Sequence, residues 1–507
     1  MTRLSLIAGV AGLALLTGCA VGPDYEKPDI PAPDSFSAAK GTPSIDETQW
    51  WHALGDPELD SLVERAVAAN PDVEIALTRL QEARTEEAVL IGAALPTGEA
   101  DGSAARGTGN DLTKGRAGSV LRSGGNTNLS PTRLIEQIAG FDANWELDLF
   151  GQYRRAIEAG IYDAEAAAEA RNAVLVDTIS DVVRAYVDFR GLQMRIAVLS
   201  QDIEISEKSR DFVKIRFDRG LTNELDLTLA ERELSSLKAE MAPLAAQRDA
   251  ARYAIAALLG LYPETLTNEL TDIKPIPSLP ARIEPGLPLD LIKRRPDIRQ
   301  DEKQLAAANA RIGVAIGNLF PHVGLSAGIG TQFAHIGSGS GADGTHIWSL
   351  GPEAYWSILD FGALDAQVDI ADLNTHEQLV GYKRAIINAV RDVDGSVEAF
   401  AAQEDSVTNL SDALVQAQRA VTLAQERYDR GLTDFLNVVD AERQLYSLES
   451  QLIVTQQRAG EDFVAVFKSL GGGWENYQSV PAVRLPHPAV LAMFERLAEP
   501  RHDSSVK

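Results

Sequence analysis

Two textures of hydrophobic and polar positions alternate along the chain, and each occurs twice. From Arg154 to Asp218 glycine and proline are almost absent, Gly160 and Gly191 being the exceptions, and Ala, Glu, Arg and Leu dominate. That composition favours helix. Apolar residues fall at Leu175, Ile179, Val182, Tyr186, Phe189, Ile196 and Ile203 in steps of four and three, with Gln193 and Ser200 polar at the skipped positions. The pattern returns at Ile386, Val390, Val393, Val397, Phe400, Val407 and Leu414, with Glu404 and Ser411 skipped. A spacing of about 3.5 residues is that of a coiled-coil seam. It predicts helices from Gly151 to Gly220 and from Gly362 to Gly431, each roughly 100 Å long at 1.5 Å per residue. Gly220 and Gly431 suit left-handed C-caps, and Thr222 and Thr433 stand where the returning helices need N-caps.

The second texture alternates with a period of two. Val323, Leu325, Ala327 and Ile329 share one face of a run that begins at His322, and Trp348, Leu350, Ala354, Trp356 and Ile358 share a face of the next. A glycine-rich turn at 337–344 separates them. Earlier, Ala143, Trp145, Leu147 and Leu149 oppose Asp142, Asn144, Glu146 and Asp148. The weakest run, Gly98 to Ala104, sets small residues against Glu99, Asp101 and Ser103. Runs of about ten alternating residues, acids on one face and tryptophan on the other, fit a transmembrane β-barrel with a wet interior. For any single run, a solvent-exposed sheet fits as well. Four strands cannot close a barrel, and open edges are not tolerated in lipid. The long helices likewise expose apolar seams. Either the chain has hidden strands or several chains share one barrel, and identical chains arranged around a symmetry axis resolve both difficulties.

The textures recur because the chain is written twice. Arg216-Phe-Asp-Arg-Gly-Leu-Thr-Asn223 returns as Arg427-Tyr-Asp-Arg-Gly-Leu-Thr-Asp434, Ala230-Glu-Arg232 as Ala441-Glu-Arg443, and Trp145 and Phe150-Gly151 as Trp356 and Phe361-Gly362. All are offset by 211 positions (427 against 216). Upstream, Asn70-Pro71-Asp72 matches Arg295-Pro296-Asp297, and Pro96 matches Pro321, with an offset of 225 (321 against 96). The first copy thus carries 14 extra residues between Pro96 and Trp145 (225 less 211). Length alone would suggest about three domains. The repeat instead predicts one body built from two similar halves.

Arg3, an apolar run from Leu4 to Leu16 and then Thr17-Gly18-Cys19 describe a signal peptide over residues 1–18, too short to span a bilayer. Cys19 is the single cysteine, so no internal disulfide can form. No later apolar run approaches the length of a membrane helix. The net charge of −26 argues against a nucleic-acid partner and keeps an exported protein soluble. Enzyme chemistry is not legible. None of the seven histidines pairs at metal-ligand spacing with another His or with Cys. The glycine run at 337–344 lacks the Lys-Ser/Thr ending of a phosphate cradle. No metal site or cofactor is therefore expected.

Leu16-Thr-Gly-Cys-Ala-Val-Gly-Pro-Asp-Tyr25, Trp50-Trp51, Asp56-Pro57, Phe150-Gly151, the two Arg-Gly-Leu-Thr turns and Gly471-Gly-Gly-Trp474 together resemble the outer membrane factors, TolC-like exit ducts of tripartite efflux and secretion systems. The resemblance covers nearly all of the mature chain and is strongest to the NodT-type lipoprotein branch serving resistance-nodulation-division pumps. It implies a mainly α fold with a β-barrel, in which a homotrimer shares one twelve-stranded transmembrane barrel continued by a long periplasmic α-helical barrel. It also implies cleavage before Cys19, covalent lipid on that residue, and an outer membrane location extending into the periplasm. The expected partners are a periplasmic membrane-fusion adaptor, an inner-membrane pump and outer membrane lipid.

The layout that follows has an N-terminal segment and first helix over 19–95, a β-hairpin over 96–150 and a long helical hairpin over 151–262. An equatorial linker over 263–295 leads to a helix over 296–320. A second β-hairpin at 321–361, a second helical hairpin at 362–474 and a tail at 475–507 complete it. By the same resemblance Leu436 forms an apolar constriction, and Asp440 and Arg443 hold a periplasmic gate through polar contacts. Asn437 stands where some relatives place an acid. The turns Arg219-Gly220-Leu221-Thr222 and Arg430-Gly431-Leu432-Thr433 are the expected adaptor-docking points, and helix capping is their other reading. Two other functions stay open on the sequence: the duct of a type I protein secretion system, and a periplasmic coiled-coil adaptor. Four amphipathic strands weigh against the adaptor, which has no need of a lipid-facing belt.

Overall fold

The computed structural model describes residues 20–31, 45–108, 133–267, 269–280, 294–336 and 343–478. Two short helices come first, α1 (Pro57–Ala69) and α2 (Pro71–Ala93), each with proline in its first turn. Asp56 and Asn70 accept hydrogen bonds from the first free backbone amides of α1 and α2. Strands β1 (Thr97–Thr108) and β2 (Arg133–Leu147) lead into the helices α3 (Gln152–Asp218) and α4 (Glu224–Leu258). The second half repeats the order with α5 (Pro296–Gly317), β3 (His322–Ile336), β4 (Asp343–Tyr355), α6 (Ala363–Asp429) and α7 (Phe435–Leu470).

Both long helices are unbroken at 67 residues, or roughly 100 Å. Each starts on a left-handed glycine, Gly151 (φ 83°) or Gly362 (φ 84°). Each ends on another, Gly220 (φ 72°) or Gly431 (φ 70°). Leu221 N donates to Arg216 O and Leu432 N to Arg427 O, the six-to-one bond of a Schellman ending. The returning helices start one residue later than the threonines suggest. Asn223 is the N-cap of α4 and accepts from Asp226 N, and Asp434 occupies the N-cap position of α7. Thr222 instead donates its hydroxyl to the Asp226 carboxylate, and Thr433 accepts from Asn437 Nδ2.

The seam spacing separates into two environments. From Ile179 to Phe189 and from Ile386 to Phe400 it is almost wholly buried, in a core shared with Trp50, Trp51, Phe463 and Phe467, while Leu175 is buried beside Trp474. Trp50 stacks flat on Phe467 with ring centroids 5.2 Å apart. Just past α7 the chain crosses this core at Gly471–Gly473, where a Cβ on Gly472 would collide with Glu47 O. Below Ile196 and Val407 the same spacing is only half-buried. The skipped residue Gln193 is buried, because it accepts from Arg190 Nη1 (2.7 Å) and donates to Leu270 O (3.1 Å). That upper stretch is therefore a globular core and not a two-helix seam.

The four strands form one antiparallel sheet in the order β1-β2-β3-β4. Phe141 stands opposite Ile329, which stands opposite Trp348, and Trp145 stands opposite Leu325. These residues share one face and are all exposed. Glu99 pairs with Asp142 and Glu146 with Gly324, which in turn pairs with Glu353, on the other face. Strand β2 ends at Leu147 and β4 at Tyr355. Asp148 is thus a capping residue beyond the strand, accepting from Tyr153 N, Arg154 N and Arg154 Nε. Trp356 lies past the end of β4 and donates to Leu319 O. Leu149 and Ile358 likewise lie beyond their strands. Among the described residues no helix is long and apolar enough to cross a membrane.

Candidate functional site at the helical tip

The far ends of α3, α4, α6 and α7 meet in a small separate core of Val213, Ala230, Tyr428, Phe435, Val438 and Val439. Arg216 caps it from one hairpin, its guanidinium 4.8 Å from the Tyr428 ring centroid of the other. This core fixes which face of α7 points inward. Phe435, Val438 and Val439 are buried, so the residues between and beyond them turn outward. Leu436 is 55% exposed, a large apolar side chain uncovered within the chain. Asp440 lies one helical turn further along the same outward face.

The structure does not join Asp440 to Arg443. Arg443 Nε lies 3.5 Å from Glu233 Oε2 of α4. Asp440 is exposed and has no ion pair among the described residues. An Arg443–Glu233 contact ties the second hairpin to the first, across the boundary between the halves. The two Arg-Gly-Leu-Thr turns close the hairpins beside this core. Leu221 and Leu432 are both strongly exposed, as are Arg219 and Arg430. A Cβ placed on Gly220 or Gly431 would meet nothing within 4 Å. These glycines are therefore required by their left-handed backbone and not by crowding.

The chain's other end is also held. Cys19 lies outside the described residues, and the strap that follows it begins at Ala20. Val21 N donates to Phe150 O, at the junction of β2 and α3. Arg155, nearly fully buried, donates to Val21 O, Gly22 O and Asp24 Oδ1. Gly22 (φ 92°) presses on α5 so closely that a Cβ there would lie 2.5 Å from Gly313 Cα. The strap from Ala20 onward is thus held at the level where the sheet becomes the helical body.

Two constellations carry no motif. Arg190, with no exposed surface, donates to Glu58 Oε2 (2.6 Å), Gln193 Oε1, Asp272 O and Tyr186 Oη (2.9 Å). Tyr186 in turn donates to Asp56. One guanidinium therefore fastens α1 and the inter-repeat segment to α3. Nearer the tip, burial pushes the Glu442 carboxyl up to about 7, with the Glu233 and Asp202 charges adding to the shift. Asp202 is pushed up to about 7 by burial and then by Glu449. The repeat offered no warning of this, since Glu231, the counterpart of Glu442 in the first copy, is exposed. Among the described residues no group of histidine, cysteine and carboxylate side chains could hold a metal ion.

The family model described as "Outer membrane efflux protein" matches residues 62–261 and 287–472. The chain is 29% identical to nodulation protein T of Rhizobium leguminosarum bv. viciae over 491 residues, covering 96% of this chain and 97% of that protein. It is 27% identical over 481 residues to the cation efflux system protein CusC of Escherichia coli K12, covering 93% of this chain and all of the relative. The solved structure of the outer-membrane channel OprN superposes with a TM-score of 0.77 at 32% identity, over 90% of this chain and all of that one. The continuous helical hairpins, the four-stranded sheet and these matches together place the chain in the outer membrane efflux protein family, as a non-enzymatic exit duct for tripartite efflux that sits in the outer membrane and extends into the periplasm.

Proposed function

We propose that three copies of this chain form the conduit, each lending four strands to one twelve-stranded barrel and two hairpins to a helical barrel beneath it. The observation that carries this reading is the sheet. Its apolar face is uncovered, with Trp348 75% exposed, and β1 and β4 each have one unpaired edge. Lipid covers such a face, but it cannot satisfy such edges. Pairing β1 of one copy with β4 of the next removes every edge. The acidic face of Glu99, Asp142 and Glu146 then lines a wet lumen. Helix α6 supports the same assembly, since Ile370, Leu373, Val380 and Ile387 form an exposed apolar ridge with heptad spacing. Light scattering of the detergent-purified protein is expected to give three chains per particle. A folded single-chain species would refute the shared barrel.

The tip is the closed end of this conduit, with Leu436 as the apolar constriction and Asp440 and Arg443 as its polar ties. Arg219–Thr222 and Arg430–Thr433 receive the periplasmic membrane-fusion adaptor, which connects the duct to an inner-membrane pump. Because space around Gly220 and Gly431 is open, replacing both by Asp is expected to leave trimer levels within about twofold of the parent. The expected strain is about 1–2 kcal/mol per site. The new charges should abolish efflux in cells. Normal export by this variant would remove the turns from the docking surface.

Cys19 carries the covalent lipid. The strap supports this by holding Val21 against Phe150 at the foot of the sheet, where an acyl chain reaches the inner leaflet of the outer membrane. Intact-mass analysis of the mature protein should find an acylated N-terminus at Cys19. An unmodified cysteine there would overturn the assignment.

A further inference from the structure

The seam between α3 and α7 joins the first half of the chain to the second, and carboxyls fill its half-buried polar positions. Near the tip it encloses a cavity of about 60 Å³, lined among others by Asp202 of α3, Glu233 of α4, Val421 of α6 and Glu442, Arg443 and Tyr446 of α7. Glu233 is served by Arg443 at 3.5 Å and Arg232 at 3.8 Å. Tyr446 donates to Glu240 Oε2 of α4 and faces Arg195 of α3. Glu449 faces Asp202, whose Oδ2 is buried without a hydrogen-bond partner. Glu442 and Asp202 have no cation paired to them among the described residues.

Higher on the same seam, Asp188 of α3 and Glu461 of α7 face each other. Gln457 Nε2 bridges them at 2.9 and 3.2 Å. Two facing carboxyls held by one amide favour protonation of one of them, which the Arg184 charge of α3 opposes. Burial, and then the Glu461 carboxyl, pushes Asp188 up to about 6.

We propose that this seam is a proton-operated latch: protonated carboxyls hold α7 against α3 and α4, and their ionisation loosens the seam so that the tip opens more readily. The proposal rests on the reading that the duct closes along Thr433 to Arg443. The sign follows from linkage. The packed seam keeps protons that a loosened, hydrated seam would release. Its extra stability is complete below the ordinary carboxyl range and is lost as pH rises towards 7. Each carboxyl that drops by a pKa unit on loosening contributes about tenfold to the closed-to-open ratio across that window.

The test is hydrogen exchange of residues 436–449 in the purified full-length assembly at about pH 5.5 and about pH 8, corrected for intrinsic rates. The parent should be protected about tenfold or more in acid relative to base. The double variant Asp202→Asn/Glu442→Gln should be protected at both pH values, because neutral amides mimic the protonated acids. No pH difference in the parent, or the same difference kept by the variant, would overturn the latch. So would a variant exposed at both pH values, since neutral amides should hold the seam. Single-channel recording separates the latch from the gate. Protection that follows pH while conductance does not would leave the latch standing and move the constriction elsewhere.

Discussion

Arg190→Ala is expected to remove most folded protein from the outer membrane. The guanidinium is completely buried and makes four hydrogen bonds, to α1, to the inter-repeat segment and within α3. Breaking a buried charge pair by deleting one partner costs about 3–5 kcal/mol, because the other charge remains. Glu58 keeps Lys274 at 2.5 Å, which puts this case near the lower bound. About 3 kcal/mol is still a large part of a typical domain's stability. Arg190→Lys should not rescue it, since a single ammonium cannot span the planar fork of contacts. Tyr186→Phe, which deletes only the hydroxyl between Arg190 and Asp56, should cost about 1 kcal/mol. The measurement is the amount and thermal half-life of protein in the outer membrane fraction. Wild-type values for Arg190→Ala would mean that the equatorial body does not depend on this lock.

Opening the tip should be the second large effect. In the threefold assembly proposed above, three Asp440 carboxylates would converge near the axis and repel one another, so the closed state would depend on compensating contacts. The Arg443–Glu233 bond between hairpins is one of them. It is an ion pair with Arg443 more than half exposed, worth up to about 1 kcal/mol. Three copies nonetheless act on one pore, and about 1.4 kcal/mol is already tenfold in an equilibrium. Asp440→Ala/Arg443→Ala is expected to raise single-channel conductance in planar bilayers several-fold. It should also sensitise cells to antibiotics that the outer membrane excludes. Leu436→Gly should add to both by removing the apolar plug. Conductance equal to the parent in every variant would place the constriction elsewhere.

What the sequence made legible was whatever depends on period. Spacing of 3.5 placed both long helices within two residues of their ends, because Gly151, Gly220, Gly362 and Gly431 take left-handed caps there. Alternation placed all four strands and sorted Trp145 and Trp348 from Asp142 and Glu146. Pairwise chemistry was not legible. Gln193 read as a gap in a seam, yet it is polar because Arg190 needs an acceptor there. Asp148 read as a strand residue, although its carboxylate is taken by the free amides of α3. Thr222 and Thr433 fit an N-cap by type, but Asn223 and Asp434 stand one position closer to their helices. The latch was hidden for the same reason. Glu442 and Glu231 are the same residue in two copies of one motif, and only packing against α3 separates them.

The order of the strands also sets an order of events. Leu147 of β2 is paired with Val323 of β3, and the whole first helical hairpin and α5 lie between them in the chain. Bringing those residues together closes a very long loop, whose entropy must be met before the pairing returns anything. Helical hairpins form from neighbours and need not wait. The sheet is therefore the late element of each chain. In the proposed shared barrel its outer edges must then find other chains, so the final step of biogenesis would be a collision whose rate depends on how many half-finished subunits share the periplasm.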